Sequence, residues 1–142
     1  MRIESLNNLT LAKEIYKLNN SKYVRGNSKN KTQFTYKEHL KWMKKNIISK
    51  NINSFTLTDN KVFIGIISSK KKGNKFFLSW SVKRIFRNKG YGKKMLKFVN
   101  SKFPKNYFAK IKTKNIYSLK MCLGCGFKIY YKNKDYYFLK NN

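Results

Sequence analysis

Between residues 52 and 82 three apolar runs follow one another almost without a break: INSFTLT (52–58), KVFIGIISS (61–69) and KFFLSWSV (75–82). Each is rich in β-branched and aromatic residues, so each predicts a strand. The joints are Asp59–Asn60 and the KKKGN of 70–74. Both are turn material, too short for a crossover, so the runs pair as hairpins. That block sets the centre of a sheet around which the rest must pack.

Upstream, MRIESL predicts an opening strand. TLAKEIYKLN (10–19) puts Leu11, Ile15 and Leu18 on one helical face, with Thr10 as the cap. The polar, glycine-broken stretch 20–33 reads as a loop. A helix over 35–49 carries Tyr36, Leu40, Met43 and Ile47 on one side. Downstream, a helix to about residue 102 buries Met95, Leu96, Val99 and Phe103. A strand (106–112) and a helix (115–125) follow, with Gly126 at a helix-to-strand joint. The strings FKIYYK and DYYFLK close the chain as a hairpin turned at Asn133–Lys134. Its tyrosines (Tyr130, Tyr131, Tyr136, Tyr137) are expected to alternate, half inward and half outward. The order β-α-α-β-β-β-α-β-α-β-β predicts an α/β fold: a mixed, mostly antiparallel sheet flanked by about four helices, in one domain over 1–142.

With 142 residues, 41% of them hydrophobic, the chain can enclose a core, which argues against disorder. No apolar run approaches the ~20 residues of a membrane span, and the N-terminus lacks a signal peptide's apolar stretch. The expectation is a cytoplasmic chain without membrane insertion. The net charge is +29, from 34 basic against 5 acidic residues. Lysines dominate, spread through nearly every segment, whereas nucleic-acid modules cluster their basic residues and favour arginine. The lysines travel with many asparagines, as an AT-rich coding sequence dictates. Compositional origin and a selected anionic partner both stay open, and either way the field draws polyanions in a salt-dependent manner. Cys122 and Cys125 form a lone CxxC, and His39 is the only histidine. Four zinc ligands cannot be assembled from these, so no metal is expected. The pair falls at a helix end rather than a start, so it reads as two reduced structural thiols.

RNKGYGKK (87–94) joins the third central strand to the next helix. Gly90 and Gly92 let a ligand approach the backbone and let the chain turn. A helix opening near Gly90 points unpaired amides and the positive end of its dipole outward, which suits a pyrophosphate. Arg87, Lys89 and Lys93 add charge. A Walker loop is absent, and a dinucleotide fingerprint needs a third glycine where Met95 stands.

In these features the chain resembles the GNAT family of N-acetyltransferases. The family's acetyl-CoA signature is an Arg or Gln, two residues, Gly, one residue, then Gly or Ala. Arg87-Asn88-Lys89-Gly90-Tyr91-Gly92 fits it, with Val82 at the strand end five residues earlier. A second feature is an Asn with Ala or Ser three residues on, in a helix closing about eleven residues after the Asn in Gly-Phe. Asn115, Ser118 and Gly126-Phe127 fit that as well. The resemblance implies acetyl-CoA as cofactor and transfer of its acetyl group to a primary amine, by a monomer or homodimer. It implies that Ser81 and Val82 pair with the pantetheine amides and that the turn of Arg87, Asn88, Lys89, Gly90, Tyr91 and Gly92, with Lys93, holds the pyrophosphate. Asn115 and Ser118 would lie at the cofactor arm. Two departures stand out: Arg84 replaces a frequent proline, and Cys122 stands where many members carry a general-acid tyrosine. Cys122 is then a weak proton donor or a packing residue.

The acceptor side is carried by YKEHLKWMKK (36–45). With the Arg-Gly-Asn-Ser loop before it, this stretch is similar to the amino-sugar N-acetyltransferases of the PseH type, implying a nucleotide-linked amino sugar. An amine on a hydroxyl-bearing ring is less basic than a lysine, near ~10.4, so one base suffices. His39 is the first candidate and Glu38 the second, with simple packing of His39 equally open. Arg25 is read as a diphosphate contact or an exposed loop charge, and Trp42 and Trp80 as stacking partners or core. Two alternatives come from elsewhere: a basic nucleic-acid-binding protein, and an acetyltransferase acting on a protein N-terminus. Five acidic residues offer the latter's basic substrates little attraction.

Overall fold

The computed structural model describes residues 1–28 and 30–141. The three central runs form β2 (Ile52–Asp59), β3 (Val62–Lys72) and β4 (Lys75–Val82), with β1 (Arg2–Ser5) beside β2. β5 (Tyr107–Lys112), β6 (Lys128–Lys132) and β7 (Tyr136–Lys140) complete one seven-stranded sheet in the order β1-β2-β3-β4-β5-β7-β6. The β4–β5 pair is parallel and the other neighbours are antiparallel. Between β2 and β3, Asn60 and Lys61 both have positive φ, 48° and 65°, the twist a two-residue hairpin needs.

Among the described residues five α-helices flank the sheet: α1 (Ala12–Asn19), α2 (Lys22–Gly26), α3 (Tyr36–Ile48), α4 (Tyr91–Lys102) and α5 (Ile116–Gly124). The extra one, α2, lies inside the stretch expected to be a loop, where the Ser21 hydroxyl caps it by accepting from Val24 N at 3.4 Å. Thr10 does not cap α1, whose N-cap is Leu11 with no side-chain hydrogen bond. α3 opens with a reciprocal cap between Thr35 and Glu38. Phe103, expected to be inward, lies past the last turn of α4 as its C-cap and is 45% exposed.

Two cores follow from the strand alternation. Ile66 packs with Ala12, Ile15, Leu18 and Met43 of α1 and α3. Its neighbour Ile67 packs with Met95, Leu96 and Val99 of α4 and with Cys122 of α5. Successive strand residues point to opposite faces, so the helices sandwich the sheet. Among the described residues no helix is long and apolar enough to cross a membrane.

Candidate active site

The parallel pair is short. β4 meets β5 only where Phe76, Phe77 and Leu78 face Tyr107, Phe108 and Ala109. Beyond that, Ser79–Val82 remain on β3 alone and Lys110–Lys112 remain on β7 alone. The two strands part, and each leaves one edge of backbone amides and carbonyls without a ladder partner. Such groups need hydrogen bonds from somewhere, so the cleft suits a ligand that is itself amide-bearing. α5 is tied across the opening: Trp80 Nε1–H donates to Ser118 Oγ at 3.2 Å, and Ser118 N donates to Asn115 Oδ1 at 3.3 Å.

Gly65 of β3 pairs with Val82, and a Cβ there would come within 2.5 Å of the Ser81 carbonyl oxygen. Only glycine lets the end of β4 sit this close. The sequence reading passed over it, although a lone glycine inside an apolar strand is a signal of close approach.

Directly after β4, a 3₁₀ turn at Arg84–Phe86 leads into the glycine motif. Asn88 (φ 68°) and Gly90 (φ 82°) are left-handed, and Gly90 is the N-cap of α4. The first amide to bond back into the helix is that of Lys94, to Gly90 O at 3.0 Å. Among the described residues, none of the amides of 88–93 makes a backbone hydrogen bond of good geometry, although the chain turns at 87–90. Amides so placed at a helix N-terminus are of the kind that suits an anion. Nothing lies within 4 Å of a Cβ built on Gly90, so only its backbone angle demands glycine. Gly92 is constrained by space instead: a Cβ there meets Met121 Sδ at 2.5 Å and Val82 Cγ2 at 3.8 Å.

The charged side chains of the motif are differently placed. Arg87 Nε donates to Val82 O at 2.9 Å, and its guanidinium lies 3.8 Å from the Tyr23 ring centre, so it braces the loop against the strand end and α2. Burial pulls its pKa down. Lys89 sits over Phe86, with its ammonium 6.0 Å from the ring centre. Tyr91 donates to Asp59 Oδ2 at 3.3 Å. Lys93 leans the other way, its Nζ 3.6 Å from where a Gly124 Cβ would stand, at the C-terminal end of α5.

On the α1/α3 side of β4 is a cavity of about 440 Å³. Arg25, Glu38, His39, Trp42, Trp80 and Ser81 all line it, so the acceptor-side candidates converge although they come from three elements. His39 is 1% exposed, and its Nε2–H donates to Ala12 O at 3.0 Å, which leaves Nδ1 with the lone pair. Phe34 and Trp42 stack on the imidazole at 5.9 Å and 5.8 Å. Burial lowers its pKa, with the Ala12 hydrogen bond opposing. Glu38 is an exposed residue at the cavity, with Oε2 accepting from Thr35 N at 2.9 Å as part of the α3 cap.

Arg25 is unusual. Its Nη2 donates to Ser28 Oγ at 3.1 Å and its guanidinium lies 5.1 Å from the Phe34 ring centre, while Nε is buried with no partner. Burial lowers its pKa. Asn19, missed in the sequence, accepts from Ser81 Oγ at 3.0 Å and fixes the strand end against α1. Phe34 was missed too, since neither lies in a recognisable motif. Trp80 packs against the α4/α5 core with its N–H committed to Ser118, so only part of its ring faces the cavity. Cys122 is fully buried in that core and does not line the cavity, and burial raises its thiol pKa.

No protein-family model matches the chain, and no curated protein matches it in sequence. Solved structures do match. The N-acetyltransferase PseH of Campylobacter jejuni in complex with acetyl coenzyme A is 19% identical, with a TM-score of 0.73 over 98% of this chain and 96% of that one. An acetyltransferase (GNAT family) from Bacillus anthracis is 16% identical, with a TM-score of 0.81 over 97% and 92%. The spermidine N-acetyltransferase of Vibrio cholerae in complex with CoA and spermine is 14% identical, with a TM-score of 0.80 over 98% and 91%. At these identities the likeness is one of fold: the chain has the GNAT fold that its two motifs predicted.

Proposed function

We propose that the chain is an acetyl-CoA-dependent N-acetyltransferase whose acceptor is the primary amine of a small anionic molecule, a nucleotide-linked amino sugar being the reading we favour. One observation carries it: the parted β4–β5 pair opens beside the loosely bonded amides of 88–93 at a helix N-terminus. The residues fit the cofactor. The amides of 88–93 suit its pyrophosphate, and the unpaired edge of Ser79–Val82 suits the amides of its pantetheine arm, with Asn115 and Ser118 flanking that arm at the mouth of α5.

Acetyl-CoA supplies a thioester, an acetyl group already activated toward amines. The chain's task is to orient and to move one proton. Arg87, bonded to the Val82 carbonyl, and Asn19, bonded to Ser81, hold the strand end where the backbone can polarise a carbonyl oxygen. His39 is the base. Its Nε2–H is given to Ala12, so Nδ1 accepts the proton, and a depressed pKa keeps the ring neutral at pH 7. Phe34 and Trp42 keep water off its faces. No proton donor is required of the chain at the leaving sulfur, because thiols ionise near ~8.5, and Cys122 in the core is not needed as one.

Arg25 sets the acceptor class. A half-buried guanidinium whose Nε has no partner, in a chain of net charge +29, favours an acceptor bearing phosphate or carboxylate. Polyamines and basic protein N-termini meet repulsion there. Titration calorimetry at low salt tests the cofactor: acetyl-CoA binds, and Gly92→Leu, which drives a side chain into Met121, weakens it by about a hundredfold. No heat from the wild-type chain would sink the proposal. Mass spectrometry on nucleotide-linked amino sugars, polyamines and basic peptides then identifies the acceptor, with product expected from the first panel only.

A further inference from the structure

α1 and α3 cover one face of the sheet over β2 and β3, but farther along that face the side chains of β4, β5, β7 and β6 reach solvent. The register makes two cross-strand rows. Phe77, Phe108, Lys140 and Lys128 stand in one, and Lys110, Phe138 and Tyr131 in the next. The intervening row on the opposite face, Leu78, Ala109 and Leu139, is buried beneath α4 and α5. The open rows contain rings in continuous contact. Phe77–Phe108 centres are 5.7 Å apart, Phe108–Tyr130 5.9 Å, Tyr130–Phe138 6.4 Å and Phe138–Tyr131 5.4 Å.

Simple alternation would have sent Tyr130 and Tyr131 to opposite faces. The β6–β7 register shifts between Ile129 and Tyr131, a bulge that brings both rings to Phe138 and leaves them 48% and 57% exposed. Neither hydroxyl bonds to any described residue. Lysines are interleaved: Lys75 Nζ is 5.1 Å from the Phe108 ring centre, Lys140 Nζ 5.5 Å from Tyr130, and Lys110 Nζ 5.5 Å from Phe138. No carboxylate lies in either row.

We infer that this face is a binding platform for single-stranded RNA. Flat rings offer stacking surfaces for unpaired bases, and ammoniums a few ångströms away meet the phosphates between them. The tyrosine hydroxyls on β6 can pair with ribose 2′-hydroxyls. A second copy of the chain fits poorly, because it would press another +29 and the same lysines against these rows. The platform is separate from the cavity beside α3 and does not depend on its function.

Fluorescence anisotropy with a labelled oligouridylate, read over a salt series, tests this. Phe108→Ala and Tyr131→Ala each weaken RNA between about fivefold and a hundredfold. They leave inorganic polyphosphate, which has charge but no bases, unaffected. Lys110→Gln lowers the slope of log affinity against log salt by about 0.7. Thermal melting and acetyl-CoA titration of each variant show that the fold is intact. The inference is overturned if the ring variants bind RNA like the wild type while Lys17→Gln on α1 matches the loss from Lys110→Gln. It is overturned equally if oligothymidylate binds as tightly as oligouridylate, or if light scattering finds a dimer that Tyr131→Glu dissociates. That last result would make the face an interface between copies.

Discussion

The loop at 87–93 offers backbone amides from one unbroken stretch of chain, whereas the cavity beside it collects side chains from α1, α2, α3, β3 and β4. The two lie on either side of the end of β4 and are held by it: Arg87 bonds to Val82 and Asn19 to Ser81. Their stability logic differs. Loop amides at a helix start are solvated when free and cost little to leave open. The cavity buries a histidine and half-buries an arginine, and each gives up solvation that its few protein partners replace only in part. A backbone site is therefore broken by bulk, and a side-chain site by chemistry.

His39→Gln is the sharpest way to break that division. It should lower kcat by about 10²–10⁴ while leaving acetyl-CoA affinity unchanged. A loss of both, measured by steady-state kinetics and calorimetry, would mean that the two regions are not separable. The pH dependence gives a further check. Burial depresses the folded pKa below the usual ~6.5, so the unfolded chain takes up the proton first. The stability that the neutral ring contributes is complete above about pH 6.5 and is lost as pH falls through the folded value. Urea denaturation at pH 7.5 and pH 5 should show the decline in the wild type and a smaller one in His39→Gln. Activity should fall over the same acidic limb.

The same division explains what the sequence disclosed. Gly90 is a local requirement for a positive φ and Gly92 answers a tertiary contact with Met121, but both fall in one contiguous motif, so their spacing is legible in the sequence. The central hairpins were equally plain, because short joints leave antiparallel neighbours no alternative. His39, Trp42 and Arg25 could be named from the α3 pattern and the loop before it, but their convergence depends on α2. That five-residue helix sits in a polar stretch with no periodicity to reveal it. Asn19 and Phe34 belong to no motif at all, and only packing brings them to the site. Of the hairpin tyrosines, Tyr136 and Tyr137 alternate as expected, but a one-residue bulge brings both Tyr130 and Tyr131 to Phe138, and no turn residue announces it.

Arg25→Met sharpens the comparison at smaller amplitude. The methionine keeps the apolar stem against Phe34 and removes a guanidinium whose Nε has no partner. KM for an anionic acceptor should rise about ten- to a hundredfold, with kcat and acetyl-CoA affinity nearly unchanged. Thermal stability should change little, because the hydrogen bonds to Ser28 and Thr32 are lost while an unpartnered Nε is removed. A drop in stability with an unaltered KM would assign Arg25 to holding α2 and the following loop together.

The smallest effect on activity belongs to Cys122, which touches neither region. Its side chain fills the core between α5 and the sheet, beside Met95, Leu96 and Leu139. Cys122→Ala should cost about 1–2 kcal/mol of stability through lost packing, and Cys122→Ser a similar amount for a buried hydroxyl. Neither should change kcat per folded molecule. If kcat fell in both variants while melting temperatures stayed level, the thiol would be moving a proton. Loop and cavity would then share a chemical group through the core rather than only a strand end.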